Sequence, residues 1–177
     1  MGATANSTVN QYRINPDDEL EINVWGEQRL QREVRVLPDG TINFPLVGQI
    51  VAQGRLTQDI EAAVTEGLRN QYRGEVPQVT VSVKKPSGLS FSVMGKVNTA
   101  GTFSPGRFVN VLEAISLAGG PSEFANLNSV MILRKTPTGL QPIHVRLANV
   151  FKSNPSRDQI SATNIPTIMT GDTVIVP

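Results

Sequence analysis

Short alternating strands, two brief helical stripes and a charged, proline-broken joint at Lys84-Lys85-Pro86-Ser87-Gly88 predict an α+β protein of two small mixed sheet-and-helix domains. The chain, at 177 residues, is long enough to bury a sizeable core. Residues 1–11 are small and polar and are expected to be disordered, leaving domains over residues 12–86 and 87–177.

The first domain opens on Asn15-Pro16-Asp17-Asp18, a turn sequence, followed by a strand in which Leu20, Ile22 and Val24 share one face and Glu19, Glu21 and Asn23 the other. Trp25 and Gly26 close that strand. Glu33 to Leu37 and Thr41 to Phe44 flank Pro38-Asp39-Gly40, where proline presets φ and glycine permits a positive φ, so a hairpin is expected. Pro45 sends the continuation to an edge or a bend, and a further short strand follows over Gln49 to Ala52. Thr57 is placed as the N-cap of a helix, with Asp59 and Glu61 in its first turn and Ile60, Ala63, Val64 and Leu68 as its apolar stripe. Gly67 weakens that stripe, and Tyr72 with Gly74 ends the helix. Val79, Val81 and Val83 alternate with Thr80, Ser82 and Lys84 in a last strand with one wet face.

In the second domain Leu89, Phe91 and Val93 alternate with serines, and a polar turn from Gly95 to Gly101 leads to Thr102-Phe103. Asn110 and Glu113 form a capping box before Val111, Leu112, Ile115 and Ala118, a short buried helix that Gly119 terminates in the left-handed conformation. Val130 to Leu133 and Ile143 to Val145 are strands around Thr136-Pro137-Thr138-Gly139. Lys152 to Ala162 reads as a loop, and the final strand runs from Thr173 to Val176. Strand, strand, helix, strand, strand and a late strand is the order of a β-grasp, a mixed sheet wrapped over one helix. The final Gly171-Asp172-Thr173-Val174 echoes the opening acidic turn and strand, although the elements between differ in order.

Composition narrows the function classes. A net charge of +1 offers no electrostatic basis for binding nucleic acid. Cysteine is absent, which removes disulfides, thiolate catalysis and cysteine-ligated metals. No apolar run reaches the length of a membrane helix. Met1 to Asn10 carry neither the basic start nor the apolar middle of a signal peptide.

No catalytic, cofactor-binding or metal-binding constellation emerges. The single histidine, His144, lies between Ile143 and Val145 and points away from their face, as a surface or satisfied imidazole does. No Gly-x-Ser-x-Gly elbow marks a nucleophilic serine. Glu19 and Glu21 share one strand face, the spacing of a surface pair rather than of carboxylates facing across a cleft. Asp17, Asp18 and Asp172 are turn carboxylates capping local amides. Gly95 to Gly101 lacks the Lys-Ser/Thr of a phosphate loop and precedes a strand. Two residues are candidate contacts for a polymer or a neighbouring subunit. Trp25 either stacks on a sugar ring or packs under a hairpin. Arg107, between Gly106 and Phe108, either meets an anionic polymer or another subunit, or is a solvated loop arginine.

The ordered series of motifs resembles the outer-membrane polysaccharide export (OPX, Wza-like) proteins from about Tyr12 to Pro177. The first part is similar to their polysaccharide export domain: Tyr12-x-Ile14-x-Pro16-x-Asp18-x-Leu20-x-Ile22-x-Val24-Trp25-Gly26, then Val34-x-Val36-x-Pro38-Asp39-Gly40-x-Ile42-x-Phe44-Pro45-Leu46-Val47-Gly48, then Gly54-x-Leu56-Thr57. The second resembles a soluble-ligand-binding β-grasp (SLBB) domain in Val93-x-Gly95-x-Val97-x-x-x-Gly101, Leu112-x-x-Ala114-Ile115-x-x-Ala118-Gly119-Gly120, Val130-x-Ile132-x-Arg134 and Gly171-Asp172-x-Val174-x-Val176-Pro177.

The resemblance implies a non-enzymatic component of capsular polysaccharide or exopolysaccharide export, with no cofactor. It would act in the periplasm in association with the outer membrane, as a homo-oligomer forming or adapting to a conduit. Its implied partners are the polysaccharide, an inner-membrane polysaccharide co-polymerase and a separate outer-membrane pore protein. The alternative is a periplasmic carbohydrate-binding module that senses or retains polysaccharide without a conduit. An envelope hydrolase using Glu19 or Glu21 is the third reading. The chain departs from the family pattern in three places. Asp17 stands where glycine usually precedes the aspartate, so a different turn is expected there. Neither the acylated cysteine nor the C-terminal amphipathic helix of many members is in the sequence, which leaves a short periplasmic member or a trimmed chain as the expectation.

Overall fold

The computed structural model describes residues 11–151 and 164–177. The segment expected to be disordered, apart from Gln11, and the loop expected over Lys152 to Ala162 lie outside the described residues. The chain divides into two compact units, one ending at Pro86 and one beginning at Ser87, each with its own hydrophobic core. Antiparallel sheets with one α-helix in the first unit, and a mixed sheet with one α-helix in the second, make the fold α+β.

In the first unit β1 (Glu19–Val24) is the central strand of a three-stranded antiparallel sheet, between β2 (Arg32–Arg35) and β5 (Val79–Lys85). Its inward residues Leu20, Ile22 and Val24 oppose Val83, Val81 and Val79 of β5, so one alternating face meets another and the apolar side is sealed. Beyond β5 the Val81 N–H, which would otherwise be an open sheet edge, donates to the Glu61 carboxylate at 2.9 Å from α1 (Thr57–Leu68).

The expected hairpin around Pro38-Asp39-Gly40 is corrected. The turn itself forms: the Gly40 N–H donates to the Leu37 carbonyl, the Leu37 N–H to the Thr41 carbonyl, and Asp39 accepts from both the Thr41 N–H and hydroxyl. The flanking strands then part. Val36 exchanges both its backbone groups with the acidic turn, donating to the Asp18 carbonyl at 2.8 Å and accepting from the Asp17 N–H at 2.9 Å. On the other side β3 (Thr41–Phe44) pairs with β4 (Gly48–Val51), not with β2.

Helix α1 starts one residue off the expected cap. Thr57 is the first helical residue and Leu56 holds the cap position, with no side-chain acceptor to offer. Asp59 supplies the compensating bond by accepting from the Leu56 N–H at 3.0 Å. Ile60, Val64 and Leu68 form the buried stripe. Gly67, which interrupts the apolar pattern, has a packing reason: a Cβ there would overlap the Val47 side chain.

The second unit has a five-stranded sheet in the order β7-β6-β10-β8-β9, built from β6 (Phe91–Gly95), β7 (Gly101–Phe103), β8 (Val130–Thr136), β9 (Gly139–Val145) and β10 (Thr173–Val176). β6 and β10 are parallel and the other pairs antiparallel. A hairpin, a helix, a second hairpin and a final strand laid parallel to the first is the β-grasp order. Helix α2 (Val111–Leu117) buries Val111, Ala114 and Ile115, while Leu112 is only partly covered. Its capping box is complete, with the Asn110 side chain accepting from the Glu113 N–H and Glu113 from the Asn110 N–H, both at 2.9 Å. Gly119 ends the helix at φ +78°, as expected. Among the described residues no helix is long and apolar enough to cross a membrane.

Candidate functional site

Strand β1 ends where its alternation turns outward. Val24 fills the last inward position, so the next side chain, Trp25, faces water, and Gly26 at φ +81° reverses the chain behind it. The Trp25 N–H is held by the Gln78 carbonyl at 2.9 Å, and the 3-10 turn Gln28–Leu30 is pinned by its buried Leu30. The ring is 70% exposed, so it does not pack under a hairpin and that alternative is corrected. It borders a shallow depression of about 210 Å³ lined by Asn23, Val24, Trp25, Gly26, Glu27, Gln28 and Gln31. Burial, and then the charge of the neighbouring Glu27 carboxylate, raise the Tyr72 phenol above its ordinary pKa. This surface offers an aromatic plane, three side-chain amides and one carboxylate: hydrogen-bonding groups, without a nucleophile and general base poised on one another.

Arg107 lies in the second unit, on the loop before α2. Its guanidinium contacts the Glu113 carboxylate at 2.9 Å and the Phe108 carbonyl at 3.3 Å while remaining exposed. Glu113 is held below its ordinary pKa by the Asn110 N–H and then by Arg107. Arg107 is therefore braced against the capping box rather than free in solvent, and it belongs to a different unit from Trp25.

The two acidic turns have the same construction. In Asn15-Pro16-Asp17-Asp18 the Asp18 N–H donates to the Asn15 carbonyl at 3.2 Å, and the Asp18 carboxylate accepts from the Asn15 N–H at 2.8 Å. In Met169-Thr170-Gly171-Asp172 the corresponding distances are 3.1 and 2.8 Å. Both aspartates are fully buried, and each precedes a strand with neighbours on both sides, β1 or β10. Asp17 takes φ +77° and Gly171 +81°, the left-handed third position of a type II turn. At Asp17 an aspartate adopts the conformation glycine favours, and its carboxylate pairs with Arg35 at 2.9 Å.

Sequence reasoning missed the further partners of these acids. The Tyr12 hydroxyl donates to Asp18 at 2.7 Å, and Arg134 holds Asp172 through two bonds of 3.1 and 2.8 Å. A signal existed for Arg134. It falls on the inward face of β8 after Val130 and Ile132, where a charge requires a partner. Tyr12 precedes the first strand and has no periodic neighbour to reveal it. Glu19 and Glu33 make surface ion pairs, Glu19 with Lys85 at 3.2 Å and Glu33 with Lys84. His144 is exposed opposite Met131. Among the described residues no three His, Cys, Asp or Glu side chains converge as a metal site would require.

Residues 6–84 match the family model for Polysaccharide biosynthesis/export protein. The chain is 27% identical over 109 residues to Polysialic acid transport protein KpsD of Escherichia coli, covering 62% of this chain and 19% of that protein. It is 26% identical over 122 residues to Exopolysaccharide production protein ExoF of Rhizobium meliloti, covering 63% of this chain and 29% of that protein. The chain thus spans less than a third of the length of these curated relatives. The acidic turn, β1 with its outward tryptophan and the Pro-Asp-Gly turn all lie within residues 6–84, so it is this part of the chain that is similar to the polysaccharide biosynthesis/export family.

Proposed function

We propose that this protein is a non-enzymatic component of capsular polysaccharide or exopolysaccharide export, and that it forms or adapts to the conduit through which the polymer leaves the cell. The observation that carries this reading is the match of residues 6–84 to the polysaccharide export family. The relatives, a polysialic acid transport protein and an exopolysaccharide production protein, support the same class of cargo. The site chemistry is compatible. A polymer that must pass requires polar, individually weak contacts, and the Trp25 surface is shallow and rich in amides. Trp25 and Arg107 are the proposed contacts with polymer or with a neighbouring subunit.

The working place is the periplasm beside the outer membrane. The partners are the polysaccharide, an inner-membrane co-polymerase, an outer-membrane pore protein and further copies of the chain in a ring. Residues 87–177 serve as the soluble-ligand-binding β-grasp domain. Deleting the gene is expected to stop secretion while the enzymes of polymer synthesis remain active, with restoration by the intact gene. Normal export in the deletion strain contradicts the proposal.

A further inference from the structure

We infer that the depression beside Trp25 is a saccharide subsite selective for an uncharged pyranose, neutral or N-acetylated, over a uronate or other anionic sugar. This rests on the reading that the chain handles polysaccharide, and it adds the class of sugar and the residue that selects it.

Three features carry it. The first is the Trp25 ring, 70% exposed at the end of a strand whose backbone is fixed by the sheet and by Gln78. A rigid aromatic plane open to solvent matches the apolar face of a pyranose, and it loses little entropy on binding. The second is the size and polarity of the depression. About 210 Å³ accommodates one sugar ring, and the amides of Asn23, Gln28 and Gln31 supply both donors and acceptors to hydroxyl or acetamido groups.

The third is charge. Glu27 is the charged side chain of the lining, and neither Arg29 nor Arg32 lines the depression although both neighbour it in sequence. A carboxylate offers acceptor capacity to sugar hydroxyls, whereas a second carboxylate brought beside it meets like-charge repulsion with no cation among the described lining residues to offset it. Glu27 is therefore the specificity determinant and Trp25 the platform.

The test uses the intact chain, whose single tryptophan makes its fluorescence a direct reporter of the subsite. Neutral gluco-oligosaccharides and N-acetylglucosamine oligomers are titrated against oligogalacturonates of equal length at physiological ionic strength. Neutral oligomers are expected to shift the emission saturably and to bind at least about tenfold tighter than the anionic ones. In amide NMR titrations Trp25→Ala is expected to weaken neutral binding by about tenfold or more, with Trp25→Phe recovering part of it. Glu27→Gln removes the negative charge, so oligogalacturonate binding is expected to rise and the preference to narrow to within about threefold. Equal or tighter binding of oligogalacturonate to the wild-type chain overturns the inference. So does neutral binding that survives Trp25→Ala in a protein with unchanged circular dichroism, or an absence of binding by all oligomers. Loss of export on gene deletion, set against any of these results, would remove the subsite and leave the export role standing; normal export would remove that role.

Discussion

Asp18 and Tyr12 show how one part-buried pair ties stability to pH. Burial, and then the hydrogen bond to Asp18, raise the Tyr12 phenol well above its ordinary value. The folded protein holds that proton more tightly than the unfolded chain does. The pair's contribution is therefore fully present below about pH 10, the ordinary phenol value, and is lost as pH rises toward the higher folded value. Tyr12→Phe is expected to cost about 1–2 kcal/mol at neutral pH, because the buried Asp18 carboxylate loses a donor. It is also expected to flatten the fall of Tm at alkaline pH, which thermal melts of both proteins would measure; an unchanged alkaline slope would refute the assignment. Leu46 is a second test at this scale. It holds φ +66° in the turn between β3 and β4, where a side chain is strained, and it is 58% exposed, so little packing is lost on its removal. Leu46→Gly is expected to stabilise the protein by about 0.5–1 kcal/mol in denaturant melts. These residues also mark what the sequence conceals. Turn-forming aspartates are legible from their Pro and Gly neighbours, but their further partners are not named by the turn: Tyr12, six residues before Asp18, has no periodic neighbour, and Arg134, 38 residues from Asp172, is marked only by its inward place on β8.

At the level of elements, alternation located the strands well and their pairing poorly. β10 matches its expected bounds, and β5 its expected faces, because period-2 burial is written locally in Val-x-Val runs. The Pro38-Asp39-Gly40 turn was equally legible, yet it does not join paired strands: Val36 is captured by Asp17 and Asp18, and β3 finds β4 instead. That competition is set by distant backbone groups, so no local signal reveals it. Gly95 illustrates an element-level constraint with a sharp consequence. It lies at φ +96° at the end of β6, where a Cβ would overlap the backbone carbonyl oxygen of Val176, and the neighbouring Lys96 N–H donates to that same oxygen at 2.6 Å. Backbone on both sides cannot yield as a side-chain tip can. Gly95→Ala is expected to destabilise the second unit by more than about 2 kcal/mol, seen as earlier loss of amide protection in β6 and β10. Retained protection there would show that the parallel pair tolerates displacement.

For the whole molecule, the two units share a building device rather than a topology. In each, a buried aspartate closes a type II turn and launches an interior strand, but one strand centres a three-stranded antiparallel sheet and the other a five-stranded mixed sheet. The candidate site was legible in part. Trp25 was singled out as a candidate sugar platform, and its exposure followed once Val24 filled the last inward position. The amide and carboxylate lining was not legible, because the 3-10 turn that carries Gln28 onto that surface has no periodic signature. The export role itself is tested most directly by locating newly made polymer after acute depletion of the protein. A pulse of labelled sugar is expected to yield polymer of unchanged length that stays within the cell envelope, with release restored on re-expression. Polymer reaching the medium at the undepleted rate would contradict the account.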